Sequence, residues 1–381
     1  MAARAFLSGM DPYASVNDLA LRFLGMSSAF PLPTPHPPTA ILLFWPLGLL
    51  SYSEALTCWL GLSLSLLVLS VSLLARCFGA RLHLLLAAAA AVMLVAWYPF
   101  MSDLASGQLN IPMLALGTGA LFALQRARPG LAGVLIGLAV ILKLIFWPFA
   151  LLFLARRQWR PLAAVAGTAV AGWTIAGIVL GPPMLVFYFR DVLPEVDALY
   201  GGAVNNTSIW TVGTRLFSGT GSPAFPGLAV PPLAASSQLA AVSSIALPLI
   251  LVFGACWLAR RISLEGGFAL FAVVGVLVSP LAWDHYLVLL VIPLAYVVRR
   301  LASTRFPSRE TNAALLVGSL LSLAPENWLA LATLLGGRPS GSGVTLPFGL
   351  ALLSLMPTVA MLALGALVVW LDRTSSAGGS L

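Results

Sequence analysis

Ala234-Ala-Ser-Ser-Gln-Leu-Ala-Ala-Val-Ser-Ser-Ile-Ala-Leu-Pro-Leu-Ile-Leu-Val-Phe-Gly-Ala-Cys-Trp-Leu258 runs without one charged residue. A helix needs about 20 such residues to cross a bilayer. The stretch lacks the period-two alternation of a membrane barrel strand, so a helix is the reading that satisfies its backbone in lipid. The rest of the chain agrees. Its 381 residues are 60% hydrophobic and 8% charged, with a mean hydropathy of +0.99. A soluble core of this length could not hide so much apolar surface. The sequence therefore reads as an all-α, polytopic integral membrane protein.

Segments long enough to span fall at 54–76, 82–100, 108–125, 130–155, 161–181, 239–260, 263–279, 282–298, 312–335 and 346–371, about ten in all. Basic clusters lie at their ends: Arg76/Arg81, Arg126/Arg128, Arg156/Arg157/Arg160, Arg260/Arg261, Arg299/Arg300/Arg305/Arg309 and Arg373. The positive-inside rule places all of them in the cytoplasm. Segment 130–155 conflicts with that rule if it crosses once, because both of its flanks are basic. It is expected to be a broken hairpin turning near Leu142 to Trp147, with Lys143 at the tip. Irregular backbone at membrane depth is tolerated only in protein or beside a wet cavity.

The domain organisation is one transmembrane domain over residues 1–381. Residues 1–53 form an outer loop in which Pro38 to Leu50 is a juxtamembrane helix. A first helix group covers 54–181, a second outer loop 182–238, a second helix group 239–371 and a cytoplasmic tail 372–381. Met1 to Leu24 is not a signal peptide, since Asp11 and Asp18 interrupt it. The net charge of +8 is spread over helix ends, a topology signal that leaves no basic face for nucleic acid. Cys58, Cys77 and Cys256 have no metal or redox spacing. No phosphate loop, HExxH or GxSxG motif is present, so nucleotide hydrolysis, zinc proteolysis and serine hydrolysis have no support.

A charge at membrane depth costs about 2.5–3.5 kcal/mol on insertion scales, which makes each one a candidate for function. Lys143 is the only lysine. It could meet a lipid phosphate, or it could snorkel to an interface or pair with an acid. Ser279-Pro-Leu-Ala-Trp-Asp-His-Tyr286 is the densest polar group. There Asp284 and His285 could serve as base or as phosphate or sugar ligands, or merely as a helix cap and an interfacial ring. Gln108 and Asn110 in Gly107-Gln-Leu-Asn110 have amides suited to sugar hydroxyls, with capping as the alternative. The same holds for Asn206, Ser208 and Arg215, where turn formation competes. His36, in His36-Pro-Pro, is a further ligand candidate or a surface polar residue.

In order, these motifs resemble the polyprenol-phosphate-dependent mannosyltransferases of glycosyltransferase family 87, which have the GT-C fold. The matching pieces are Ala2 to Tyr13, His36-Pro-Pro38 with Pro46 and Ala55/Trp59, and Gly107 to Asn110. They continue with Gly133 to Pro148 around Lys143, Arg156 to Arg160, Asn206 to Ser208 with Arg215, and Ser279 to Tyr286. The resemblance implies an inverting transfer of mannose from a polyprenyl-phosphate sugar donor to a glycolipid or glycan acceptor, at the outer face of the plasma membrane. It implies no cofactor and no metal, membrane lipid as a partner, and no nucleic acid. On it, Asp284 and His285 are the catalytic candidates. Lys143, Gln108, Asn110, His36, Asn206, Ser208, Arg215 and Tyr13 are the substrate-binding ones. High Ala, Arg, Gly and Pro usage suits a GC-rich, actinobacterial source.

The family's general-base aspartate and a first transmembrane helix are expected ahead of the segment matching Ala2 to Tyr13, and this sequence contains neither. The expectation is a start codon placed too far downstream, the alternative a truncated, inactive relative. Two other classes compete: a lipid or sugar transporter, which a paired internal repeat would favour, and a non-catalytic scaffold.

Overall fold

The computed structural model describes all residues except 28–33, 81, 222–229, 337, 341–342, 346–349 and 378–381. Arg81 and parts of the expected outer loops and tail lie outside the described residues. The helices are α1 (Ala2–Leu7), α2 (Val16–Leu24), α3 (Pro38–Leu43), α4 (Trp45–Gly48), α5 (Tyr52–Cys77), α6 (Leu84–Val95) and α7 (Tyr98–Ala105). They continue with α8 (Asn110–Gln125), α9 (Pro129–Leu142), α10 (Pro148–Ala155), α11 (Trp159–Leu180), α12 (Pro182–Phe187), α13 (Leu193–Tyr200) and α14 (Trp210–Phe217). The remainder are α15 (Ser237–Ala259), α16 (Leu264–Leu277), α17 (Val291–Ser303), α18 (Ser308–Ser322), α19 (Pro325–Gly336) and α20 (Met356–Ala377). Strands β1 (Arg338–Ser340) and β2 (Gly343–Thr345) form a small antiparallel hairpin.

Among the described residues, all ten expected segments carry helix, and five helices are long and apolar enough to cross alone. These are α5, α11, α15, Asp284–Ser303 and Leu352–Thr374. By length and composition alone, the described residues hold five such spans, or up to seven when each bent pair counts as one. The bends are 86° between α6 and α7 and 91° between α18 and α19. Apolar length was continuous in the sequence, but Pro99 and Pro325 each stand in the first turn of the second helix. Proline opens a helix there and cannot continue the preceding one. The helices α8, α9 and α16 and the stretch Leu144–Ala155 are shorter and apolar. The juxtamembrane segment is split into α3 and α4, and the second outer loop carries α12 to α14.

The broken hairpin is visible in how α9 packs. Lys143 is extended, with φ −158° and ψ 122°, and ends α9 at Leu142. A 3-10 turn, Leu144–Phe146, leads into α10. A Cβ built on Gly133 would lie 2.6 Å from the Ala164 Cβ, one on Gly137 2.6 Å from the Thr168 Cβ, and one on Gly172 2.8 Å from Ile141 Cδ1. Positions 133, 137 and 141 thus climb α9 beside 164, 168 and 172 on α11, so the two helices are parallel. Parallel neighbours require the intervening chain to return, and the 3-10 turn with α10 is that return. Small residues permit the close approach.

The basic clusters share one end of the bundle. Arg156 Nη1 donates to Ala259 O at 2.6 Å and Ile262 O at 2.9 Å, while Arg260 Nε donates to Ala155 O at 3.1 Å. Gln125 Nε2 reaches Cys77 O and Glu265 Oε1, both at 3.1 Å. Arg300 pairs with Asp372 at 2.9 Å, and Asp372 also accepts from Ser263 N at 2.8 Å and from Tyr296. Helix ends here close with a six-to-one hydrogen bond over a left-handed residue: Ala80 N to Ala75 O past Gly79, Arg128 N to Ala123 O past Ala127, Gln158 N to Phe153 O past Arg157. α16, buried along Gly266 to Leu277, runs from this end through the middle of the core. The other ends of α5, α8, α9 and α16 lead to the polar cavity.

Candidate active site

At that opposite end lies a cavity of about 680 Å³. His36, Gln108, Asn205, Asp284, His285 and Glu326 give it a polar wall, and Leu19, Phe23, Phe44, Leu47, Leu50 and Trp59 an apolar one. The apolar wall comes from α2 to α5. Ser51 and Glu54 anchor the start of α5 as a reciprocal cap, Ser51 N donating to Glu54 Oε2 at 2.9 Å and Glu54 N to Ser51 Oγ at 3.4 Å.

The polar wall is presented by turns. Trp283 is extended, and a 3-10 run, Asp284–Leu290, follows it. Asp284 Oδ1 stands 3.2 Å from His285 Nδ1, and Ser102 on α7 also hydrogen-bonds the carboxylate. Tyr200 and Trp283 meet edge to face with ring centroids 4.8 Å apart, and Trp283 stands 5.6 Å from the His285 ring. His36 lies ahead of α3, outside the spans. Burial pushes its imidazole down to about 3, and the nearby Lys143 and His285 add to the effect. It is a neutral group at physiological pH.

Of the sequence candidates, His36, Gln108, Asp284 and His285 line the cavity. Asn110 and Lys143 stand behind that wall. Asn110 Nδ2 donates to Asp103 Oδ1 at 2.7 Å, and Lys143 Nζ donates to Asn110 Oδ1 at 3.2 Å while lying 3.5 Å over the Tyr286 ring. Tyr13 donates to the His36 carbonyl at 3.0 Å, and Tyr188 to the Pro35 carbonyl at 3.0 Å, so two phenols hold the loop from behind.

Asn206, Ser208 and Arg215 are buried braces. Asn206 Nδ2 donates to Pro280 O at 3.0 Å and Gly201 O at 3.1 Å, and its Oδ1 accepts from Ala282 N at 2.9 Å. Ser208 Oγ donates to Leu277 O at 3.3 Å. Arg215 donates to Ser354 O at 2.6 Å, to Val204 O at 2.9 Å and to Asn206 O. Together they tie the 201–208 loop, which carries Asn205, to the 277–282 turn, which carries Trp283 and Asp284.

Sequence reasoning missed Ser102, Asp103, Tyr200 and Glu326. For Glu326 a signal existed. It is an acid inside an apparent span, and intramembrane acids are functional candidates. For Asp103, seven residues before Asn110, the tight turn between α7 and α8, closed by Gln108 N donating to Asp103 O at 2.9 Å past the left-handed Gly107, brings the two together.

No solved structure matches the chain. It is 28% identical, over 90% of its length and 79% of the relative's, to a polyprenol-phosphate-mannose-dependent alpha-(1-2)-phosphatidylinositol mannoside mannosyltransferase of Mycolicibacterium smegmatis. The protein of the same description from Mycobacterium tuberculosis is 29% identical over 86% of the chain and 74% of the relative. A phosphatidylinositol pentamannoside mannosyltransferase of Mycolicibacterium smegmatis is 25% identical over 69% of the chain and 60% of the relative. The profile of glycosyltransferase family 87 matches residues 35–280, from the His36 loop to the turn before Asp284. That match covers well over half of the sequence, and the chain belongs to glycosyltransferase family 87.

Proposed function

We propose that the protein transfers mannose from a polyprenyl phosphate to a glycolipid hydroxyl at the outer face of the plasma membrane, with inversion at the sugar carbon. The observation that carries this reading is the cavity's division. One wall, from Asp284 and Glu326 to His36, offers carboxylates, imidazoles and amides, and the other, from α2 to α5, is mostly apolar, with Arg4 of α1 also at the cavity. A lipid-linked sugar has the same two halves. The names of the mycobacterial relatives supply the donor and the acceptor class. Charge supports the outer face: the basic clusters gather at the far end from the cavity, and such clusters favour the cytoplasm.

In the step itself, Asp284 takes the proton from the acceptor hydroxyl. The acceptor oxygen bonds to the anomeric carbon, and the carbon–oxygen bond to phosphate breaks, its electrons leaving on the polyprenyl phosphate. A positioned base contributes about 10²–10⁴-fold. His285 holds the Asp284 carboxylate by its Nδ1, and the amide of Gln108 is placed to meet sugar hydroxyls. Membranes carrying the chain should move label from radiolabelled polyprenyl-phosphate mannose to phosphatidylinositol mannoside, and Asp284→Ala should abolish the transfer. An inserted, folded wild-type chain that moves no label would end this reading.

A further inference from the structure

Among the described residues that line the cavity there are two carboxylates, Asp284 and Glu326. They differ in their surroundings. Asp284 is held by His285 and Ser102. Glu326 is exposed to the cavity, receives a hydrogen bond from the Asn205 side chain, and lies within electrostatic reach of Asp284. It stands in the first turn of α19, which the 91° elbow after α18 swings toward the site.

The wall around Glu326 has more polar capacity than the protein uses. Tyr98 Oη, Asn205 Oδ1, Trp283 Nε1 and His285 Nε2 are buried without a hydrogen-bond partner. Tyr98 feels both Asp284 and Glu326. An unsatisfied buried polar group is destabilising, and native proteins keep few of them. Three of these residues, Asn205, Trp283 and His285, line the cavity beside the Tyr200–Trp283 aromatic corner, and that lining suits a guest with several hydroxyls and apolar C–H faces. A carboxylate accepts two hydroxyl donors at once, and an indole packs on the C–H face of a sugar.

We infer that Glu326, steadied by Asn205 and flanked by Trp283, binds the hydroxyls of the acceptor's terminal sugar and so selects the acceptor. The inference rests on the transferase reading above. Of the two substrates, the donor brings its phosphate to the site, and a second carboxylate would repel that anion. His36 lies within electrostatic reach of His285 and Lys143, and Glu326 within reach of Asp284.

The test uses the full chain in detergent, polyprenyl-phosphate mannose as donor and octyl α-mannoside as acceptor probe. Glu326→Gln keeps the shape and removes the charge. It should raise the acceptor KM about tenfold more than the donor KM, the loss expected for one hydrogen bond to a charged group. Asn205→Ala, which only loosens Glu326, should give a smaller rise in the same constant. A loss confined to kcat, or a donor KM that rises as much as the acceptor KM, overturns the assignment. Binding of octyl mannoside, followed by tryptophan fluorescence, needs no turnover. Binding about tenfold weaker in Glu326→Gln supports the inference, and equal binding overturns it. A wild type that binds the mannoside but moves no label removes the transferase reading alone.

Discussion

The ammonium of Lys143 stands 3.5 Å over the centroid of the Tyr286 ring. One residue is the break in a hairpin, the other belongs to the turn that presents Asp284, so this contact joins the two irregular segments of the site. Asn110 extends it to Asp103, whose carboxylate accepts the Asn110 amide at 2.7 Å. A cation, an amide and an acid thus close one buried network beneath the cavity floor.

The first prediction concerns that network. Lys143→Met leaves Asp103 buried without the cation it reaches through Asn110, and because the two are bridged and not in contact the loss should fall below about 3–5 kcal/mol, the cost of breaking a direct buried pair. Asp103→Asn introduced with Lys143→Met should recover much of the loss, because no uncompensated charge then remains. Thermal unfolding in detergent of the two single variants and the double one measures the coupling. Strictly additive losses would show that the acid and the lysine act independently.

The second concerns Asn206. Its side chain makes four hydrogen bonds, to Gly201 O, Pro280 O, Ala282 N and Ser208 N, and none of them faces the cavity. Asn206→Ala strands these groups, and with about 1–3 kcal/mol for each buried group left unpaired, the variant should unfold well below the wild type. Stability by thermal scan decides the matter. A variant as stable as wild type with an impaired donor KM would make Asn206 a substrate ligand instead of a brace.

The sequence was most legible where the physics is one-dimensional. Uncharged runs such as 234–258 announce helices in lipid, and arginines at their ends announce which ends cluster together. The hairpin at Lys143 was readable because its two basic flanks forbid a single crossing. The bends at Trp97 and Leu323 were not, since composition alone does not separate a continuous apolar helix from two that meet at a right angle. The same limit explains the site. His36, Gln108, Asp284 and His285 announce themselves as polar residues beside apolar runs, and they line the cavity. Whether a polar residue faces a guest or staples a loop depends on its partners, which for Asn206 and Arg215 are carbonyls far away in sequence. Glu326 was hidden inside an apparent span.

The third prediction is a pH dependence. Folding pulls the His36 pKa to about 3, against an ordinary value of about 6.5 in the unfolded chain. Above pH 6.5 both states hold the ring neutral and the group has no effect on stability. As pH falls from about 6.5 toward 3, the unfolded chain takes up a proton that the folded chain refuses, so stability declines over that window. His36→Gln removes this proton uptake and should flatten the unfolding temperature between pH 6.5 and 4. An unchanged slope would mean that His36 is solvated in the folded protein.

The last prediction tests the hairpin through its glycines. Gly130 and Gly133 both lie in α9, but a Cβ at Gly130 meets nothing within 4 Å, whereas one at Gly133 would sit 2.3 Å from Pro161 O on α11. Alanine is the better helix former by up to about 1 kcal/mol, so Gly130→Ala should be neutral or slightly stabilising. Gly133→Ala must push α9 off α11, and overpacking of this kind costs about 1–3 kcal/mol. Because α9 carries Lys143 at its end, the displacement should also reach the cavity and lower transfer from the lipid donor. The readout is the fraction of folded protein surviving a heat step, followed by size-exclusion chromatography in detergent. If both alanines behave alike, α9 does not pack along α11 in parallel, and the return of the chain through α10 must be abandoned.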